Sequence, residues 1–505
     1  MRFARKKANL QKNKSMRKRF EQQLEVGFKS IMETPVLQKS RDDVPALVAA
    51  LVKIFKTPEY NNRIFNILEG KILKEKKKTG RKGLSLWQIF VLAQFRLGLN
   101  LDYDRLHYMV NSDSTLRQLL GIETESGFKR IEIGYQRILD NLQLLDDKTV
   151  LEINDIVVEF GHNEVFKKKE EEALNLKTDS FVVESNVHFP TDYNLLWDSA
   201  RKSLDTIKWY TRKYPAIEGW RKAHDWYKEL KSLSRVVGRT SSRGGKNKEH
   251  QLKQVTRQYL TKATALNNKL SKSKGDLPIA ELSDLFRILE LERFMKLMEK
   301  HIDLVERRLI KGEKIPHEEK LFSIFEDYTE WITKGKLRPN VEIGKKISIT
   351  SDQYGLIIDS LIHKHDADSE VVINIGDRLL AKYKIRIWSF DKGFWHKDNK
   401  LLLKAEVEVL VMPKKGKPNK QELEEEHAPV FKKFRNKHSA VESNINELEH
   451  RGLNRCPDKG YHAFKRYVSM AVVAYNLHKI GKELIKQELR KKEKAQRRKA
   501  LKLAA

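Results

Sequence analysis

Apolar residues recur along this chain with two different periods, and the change between them falls near residue 174. Before it, spacings of three and four predominate. Residues 44–73, "VPALVAALVKIFKTPEYNNRIFNILEGKIL", predict helices broken at Pro58. Residues 84–100, "LSLWQIFVLAQFRLGLN", predict another helix, with Ser85 as its N-cap and Gly98 at its end. Two shorter helical runs follow, "YDRLHYMVN" and "DSTLRQLLG", and then "GYQRILDNLQLLDDKTVLEINDIVVEF". A set of helices joined by short turns is what a helix-turn-helix type DNA reader looks like; a helical dimerisation bundle is the alternative.

From residue 174 the residue types change. "LNLKTDSFVVESNVHF" is rich in β-branched and aromatic side chains and predicts a strand with Asp179 inside it. "PTDYNLLWDSARKSL" restarts a helix, with Thr191 as candidate N-cap and Trp197 on its apolar side. Long charged helices continue to about Ile310, and the tryptophans at 197, 209, 220 and 226 are expected mostly in their core. "VVGRTSSRGGKNKEHQ", residues 236–251, reads as a flexible basic loop carrying Arg239, Arg243, Lys246 and Lys248. Such a loop can offer amides and cations to phosphates, or be a solvated linker.

Strand character returns at "KLFSIFEDYTEWI" and "GKKISITSDQYGLIIDSLI". "ADSEVVINIGDRLLAKY" predicts a helix, "KIRIWSFDKGF" a strand ending at Asp391, and "EVEVLVMPKKGK" another strand. The last third reads as helical around "HSAVESNINELEHRGL" and "GYHAFKRYVSMAVVAYNLHKIGKELIKQEL". The expected class is therefore α/β, a core with helical additions. The boundaries are a basic arm 1–20, a helical region 21–170, a core from 171–198 and 317–480, a helical insertion 199–316 and a basic tail 481–505.

Charge narrows the partners. The 505 residues carry 100 Lys and Arg against 69 Asp and Glu, a net +31, which favours a polyanion. Nine basic residues and no acid stand in 1–20, and eight basic residues with one acid between Arg490 and Lys502. No apolar run is long enough to span a membrane, and the basic start has no apolar stretch of the kind a secretory signal needs. The single cysteine, Cys456, excludes an internal disulfide and fits a reducing cytoplasm. Nucleic acid is the expected partner.

Three acids then stand out. Asp179 lies in the first core strand, Asp391 ends a later one, and Glu442 lies in a helical stretch. If they converge they repel one another, and a divalent cation relieves that cost. Two such cations about 3.5–4 Å apart suit phosphoryl transfer. Gly393 beside Asp391 permits close backbone approach. Phe394 and Trp395 pack under the loop or stack a displaced base. Lys414, Lys415 and Lys417 follow a strand end where phosphates can pass, or form a solvated turn. His450, Cys456 and His462 are evenly spaced but lack a fourth ligand, and "HKHDAD" at 363–368 reads as a helix cap. No GxxxxGK[ST] occurs.

The stretches "KTDSFVVESNVHFPTDYNLLWD", "SFDKGFWHKDN" and "NKHSAVESNINELEHRGLNRC" together resemble DDE-type insertion-sequence transposases, most nearly the ISNCY type. "LFSIFEDYTEWITKGK", "GKKISITSDQYGLI" and "LSLWQIFVLAQFRLGLNLDYDRLHYMVNSD" resemble the same group, so that the likeness runs in order over about 80–480. The resemblance implies an RNase H-like mixed-sheet core behind a helical DNA-binding domain, with Asp179, Asp391 and Glu442 as catalytic and metal-holding acids. It implies Mg²⁺ or Mn²⁺, two ions, and cleavage and joining of double-stranded DNA at an element's terminal inverted repeats. It further implies a homodimer or higher oligomer on DNA, in the cytoplasm of a prokaryote. Where related transposases surround their glutamate with tyrosine, arginine and lysine, this chain has Arg435, His438 and Glu449. Arg435 and His438 join Arg239, Arg243, Lys246, Lys414 and Lys415 as expected DNA contacts. A DNA-binding relative without chemistry and an RNase H-like nuclease are the rivals.

Overall fold

The computed structural model describes residues 17, 19, 26–73, 83–333 and 341–504. The basic arm, apart from Arg17 and Arg19, and the linker "KEKKKTGRKG", apart from Gly83, lie outside the described residues. The chain divides into two compact units, 1–186 with 344–505, and 187–343. The helical region expected at 21–170 thus shares one unit with the sheet. The second unit is wider at both ends than the expected insertion.

In the first unit, α1 (Val44–Phe55) and α2 (Pro58–Ile72) are separated at the proline, which starts the second helix at a position needing no N–H partner. Helix α3 (Leu86–Gly98) begins in a capping box in which Ser85 and Gln88 exchange side-chain to backbone bonds. Helices α4 (Tyr103–Ser112), α5 (Ser114–Leu119), α6 (Tyr135–Leu142) and α7 (Asp147–Phe160) follow. Strand β1 (Leu174–Ser185) then enters the sheet.

After the second unit the chain continues through β3 (Val341–Ser351), which follows β2 (Glu330–Thr333), and then β4 (Ile357–Ile362). Helix α12 (Asp368–Leu380), β5 (Ile385–Phe390), α13 (Lys397–Glu406) and β6 (Val409–Val411) come next. Helix α14 (Lys420–His427), α15 (Pro429–Leu448), the short β7 (Arg455–Cys456) and α16 (Tyr461–Ala504) complete it. The sheet is mixed, in the order β2-β3-β1-β5-β6, with β4 also on β3 and β7 on β1. β1 runs antiparallel to β3 and parallel to β5, and β5 runs parallel to β6. Gly344 lies against the carbonyl of Val183, a closeness that a side chain would forbid.

Helix α16 explains why the N-terminal helices belong with the sheet. Its residues from Val468 to Tyr475, apart from Ser469 all apolar, are buried on every side. It needs partners all round, and α1, α3 and α7 supply them. Gly481 sits directly on the carbonyl of Ala46 in α1. Asn476 both donates to and accepts from the backbone of Ile357, and Asn154 of α7 donates to the same carbonyl, pinning β4 between two helices. The stretch 481–505, expected as a separate tail, continues α16 to Ala504. Nothing in its sequence, rich in Lys, Glu, Gln and Ala, stops the helix.

In the second unit α8 (Asp192–Lys213), α9 (Ala223–Ser242), α10 (Lys248–Lys274) and α11 (Leu282–Val305) enclose their own core around Leu204, Tyr210, Val237, Tyr259, Leu266 and Leu291. Trp220 is buried in it, and Trp197, Trp209 and Trp226 pack against it. The flexible loop expected over 236–251 is corrected: α9 runs through Ser242 and α10 starts at Lys248, leaving only 243–247 between them. Val237 is wholly buried, and that anchor carries the helix past Gly238. Thr191 precedes α8 but its hydroxyl makes no cap bond. Of "KLFSIFEDYTEWI" only the last three residues, 330–332, lie in a strand, β2. No helix among the described residues is long and apolar enough to cross a membrane.

Candidate active site

The parallel pairing of β1 with β5 sets the site. Leu176 lies opposite Trp388, Lys177 opposite Ser389 and Thr178 opposite Phe390. The next residue on each strand is aspartate, so register alone brings Asp179 and Asp391 to the same level. The rung beneath is fixed by a buried chain: the indole N–H of Trp388 donates to Thr178 Oγ1 at 2.8 Å, and Thr178 shares a 2.7 Å bond with Thr350 of β3. Helix α15 packs across β1, β5 and β6 and carries Glu442.

Asp179 accepts the N–H of Ser180 at 2.7 Å, which favours its charge. Burial nevertheless pushes its carboxyl up to about 7, with the negative charges of Asp391, Glu442 and Asp368 adding to the rise. Asp391 and Glu442, the other two acids expected from the sequence, therefore both act on Asp179. Among the described residues, however, no group of three or more His, Cys, Asp or Glu side chains is gathered tightly enough to hold a metal ion as it stands. The donors available are carboxylate oxygens, the kind that Mg²⁺ and Mn²⁺ prefer.

Asp368 is the member that sequence reasoning missed, because "HKHDAD" reads as a cap. It is the first residue of α12, with Oδ1 3.3 Å from Lys346 Nζ. The Ala367 N–H donates to the Glu370 carboxylate at 2.6 Å, while His363 contacts Ser348 Oγ at 2.7 Å. Gly393 proves to make room for Asp368: a Cβ there would lie 2.9 Å from its Oδ2. The only sequence signal was the glycine two residues after Asp391.

His438, one helical turn before Glu442, is corrected from a DNA contact to an interior group. Its ring is buried, with Nδ1 3.0 Å from Ser389 Oγ. Burial and the Lys177 ammonium push its pKa down to about 4, against the opposing pull of Asp391, so the ring is neutral at pH 7. The Ser389 hydroxyl donates to the Leu176 carbonyl. Nε2 is buried without a hydrogen-bond partner among the described residues.

The remaining expected contacts are spread out. Arg435 on α15 and Lys415 are exposed. Lys414 is engaged inside the molecule, 2.6 Å from Glu422 and over the ring of Trp395 at 4.2 Å. Phe394 is buried against Phe390, so of the two aromatics it is plainly packing. Arg239, Arg243 and Lys246 are exposed and belong to the second unit. Cys456 is buried, whereas His450 and His462 are exposed. No family model, curated protein or solved structure matches the chain.

Proposed function

We propose that this protein is a DDE-type transposase, binding the terminal inverted repeats of its element and cutting and joining DNA with Mg²⁺ or Mn²⁺. The observation that carries this reading is the carboxyl of Asp179, held near 7 by burial and by Asp391, Glu442 and Asp368. Converging acids on a chain of net +31 suit a cation bound to a phosphodiester. A strand paired antiparallel on one side and parallel on the other, with acids where the parallel pair ends, supports an RNase H-like core.

Asp179, Asp391 and Glu442 would hold two ions, whose contribution is to activate an attacking oxygen and stabilise the leaving one. Asp368, held by Lys346, adds negative charge that favours cations at this point. Neutral His438 keeps α15 seated on β5 and so positions Glu442 against Asp391. Assembly as a dimer or larger complex on DNA belongs to the same proposal.

Incubation with Mg²⁺ and duplex DNA carrying the element's ends tests it. Metal-dependent cleavage and joining of those ends is expected, lost in Asp391→Asn with DNA affinity retained. Cleavage by Asp391→Asn at the parental rate overturns the reading.

A further inference from the structure

A cleft of about 670 Å³ opens within the second unit between the start of α8 and one face of α9. Tyr193, Asn194 and Trp197 form one wall; Lys231, Arg235 and Arg239 stand on the other, together with Ser234, Gly238 and Ser242. The three cations recur every fourth residue, so they lie in a row along one side of α9, about 6 Å apart along its axis. No aspartate or glutamate lines the cleft. Among the described residues none of the three forms an ion pair; Lys231 rests over the Tyr227 ring at 5.5 Å. Elsewhere in this unit cations are commonly paired: Lys253 with Glu249, Lys274 with Glu292 and Arg287 with Glu290, at 2.7–2.8 Å. Gly238 shapes the floor, since a Cβ there would meet the Tyr193 ring at 3.2 Å.

We infer that this cleft is a binding site for the phosphate backbone of duplex DNA. Three unpaired cations in a row offer charge to successive phosphates and read no bases. Tyr193, Asn194 and Ser242 add hydroxyl and amide groups able to bond phosphate oxygens. The choice of DNA rests on the function proposed above, but binding here needs neither a metal nor the acids of the first unit.

The test compares two full-length variants of equal charge. One carries Lys231→Gln, Arg235→Gln and Arg239→Gln; the other carries Lys253→Gln, Lys274→Gln and Arg287→Gln, removing cations that already have partners. Affinity for a short duplex of arbitrary sequence is measured in EDTA over a range of salt. Each phosphate contact contributes about 0.9 to the log–log salt slope, so the cleft variant should lose about 2–3 of slope and about tenfold or more in affinity. The paired-cation variant should stay near the parent. If the triple variant folds poorly, Arg235→Gln with Arg239→Gln, both exposed and replaced by a good helix former, should still lose about 2. Equal slopes and affinities in the two variants overturn the inference, as does a loss seen on single strands but not on the duplex. Because EDTA removes all metal chemistry, failure here leaves the transposase reading standing, and failed cleavage leaves this result standing.

Discussion

Gly393 lies so close to Asp368 that a Cβ on the glycine would stand 2.9 Å from Asp368 Oδ2. The glycine follows Asp391 by two residues, and the carboxylate it admits is one of those raising Asp179. Gly393→Ala should displace the end of one side chain rather than the backbone. Stability should change by no more than about 1 kcal/mol, as for most substitutions outside a core. Metal-dependent cleavage should fall by about tenfold or more, since displacement on the order of 1 Å at a catalytic site costs up to about a hundredfold. Urea unfolding and single-turnover cleavage check the two halves.

Ser389 holds His438 to the sheet, and the bond can be broken from either side. Ser389→Ala leaves His438 Nδ1 without its partner inside the protein. An orphaned buried polar group costs about 1–3 kcal/mol. Denaturant unfolding should show that loss. Cleavage should fall with the bulk fold intact, because α15 no longer has a polar anchor beside Glu442. Near-UV circular dichroism before and after the substitution checks that the fold persists.

Much of this site was legible because strands announce themselves locally. "LNLKTDSF" and "IRIWSF" alternate, and two aspartates at like positions on neighbouring parallel strands need only the register to meet. What the sequence hid was set by distant contacts. Asp368 and Gly393 become neighbours only when α12 packs beside the turn after β5. His438 looks like a surface residue in "FRNKHSAVE" until the helix face turned to Ser389 is known. The 236–251 stretch misled because Gly, Ser and Arg outweigh two valines locally, although burial of Val237 decides the matter. Likewise nothing in the N-terminal helices says that α16, more than three hundred residues away, will cover them.

Gly481 tests that last packing. It rests on the Ala46 carbonyl, where a methyl group would meet the backbone of α1 rather than a movable side chain. Alanine normally favours a helix over glycine by about 1 kcal/mol. Here Gly481→Ala should instead destabilise by about 1–3 kcal/mol, the usual cost of overpacking. A lowered midpoint in urea for the full chain is the expected outcome, with far-UV circular dichroism unchanged below the transition.

The raised carboxyl of Asp179 makes stability depend on pH in an unusual direction. Its folded value, about 7, lies above the ordinary value of 3.8. Between these values the folded chain keeps a proton that the unfolded chain has released, so this group's contribution to stability declines as pH rises. The contribution is intact below about pH 4, falls across pH 4–7, and is fully lost above about 7. At about 1.36 kcal/mol per unit the whole effect is at most about 4 kcal/mol, and residual solvent access to Asp179 brings it lower. Asp179→Asn cannot release a proton. The difference in unfolding free energy between Asp179→Asn and the parent should therefore grow in favour of the variant from pH 4.5 to pH 7.5. Measured as a difference, it cancels the titration of the other 68 acids to the extent that they behave alike in both proteins. Mg²⁺ or Mn²⁺ acts against this trend, because a cation favours the ionised carboxylate, and it should raise the parent's midpoint more at pH 7.5 than at pH 5. A parent and variant whose stabilities run parallel across this range would show that Asp179 is an ordinary solvated acid, and that the three neighbouring carboxylates exert no pressure on it.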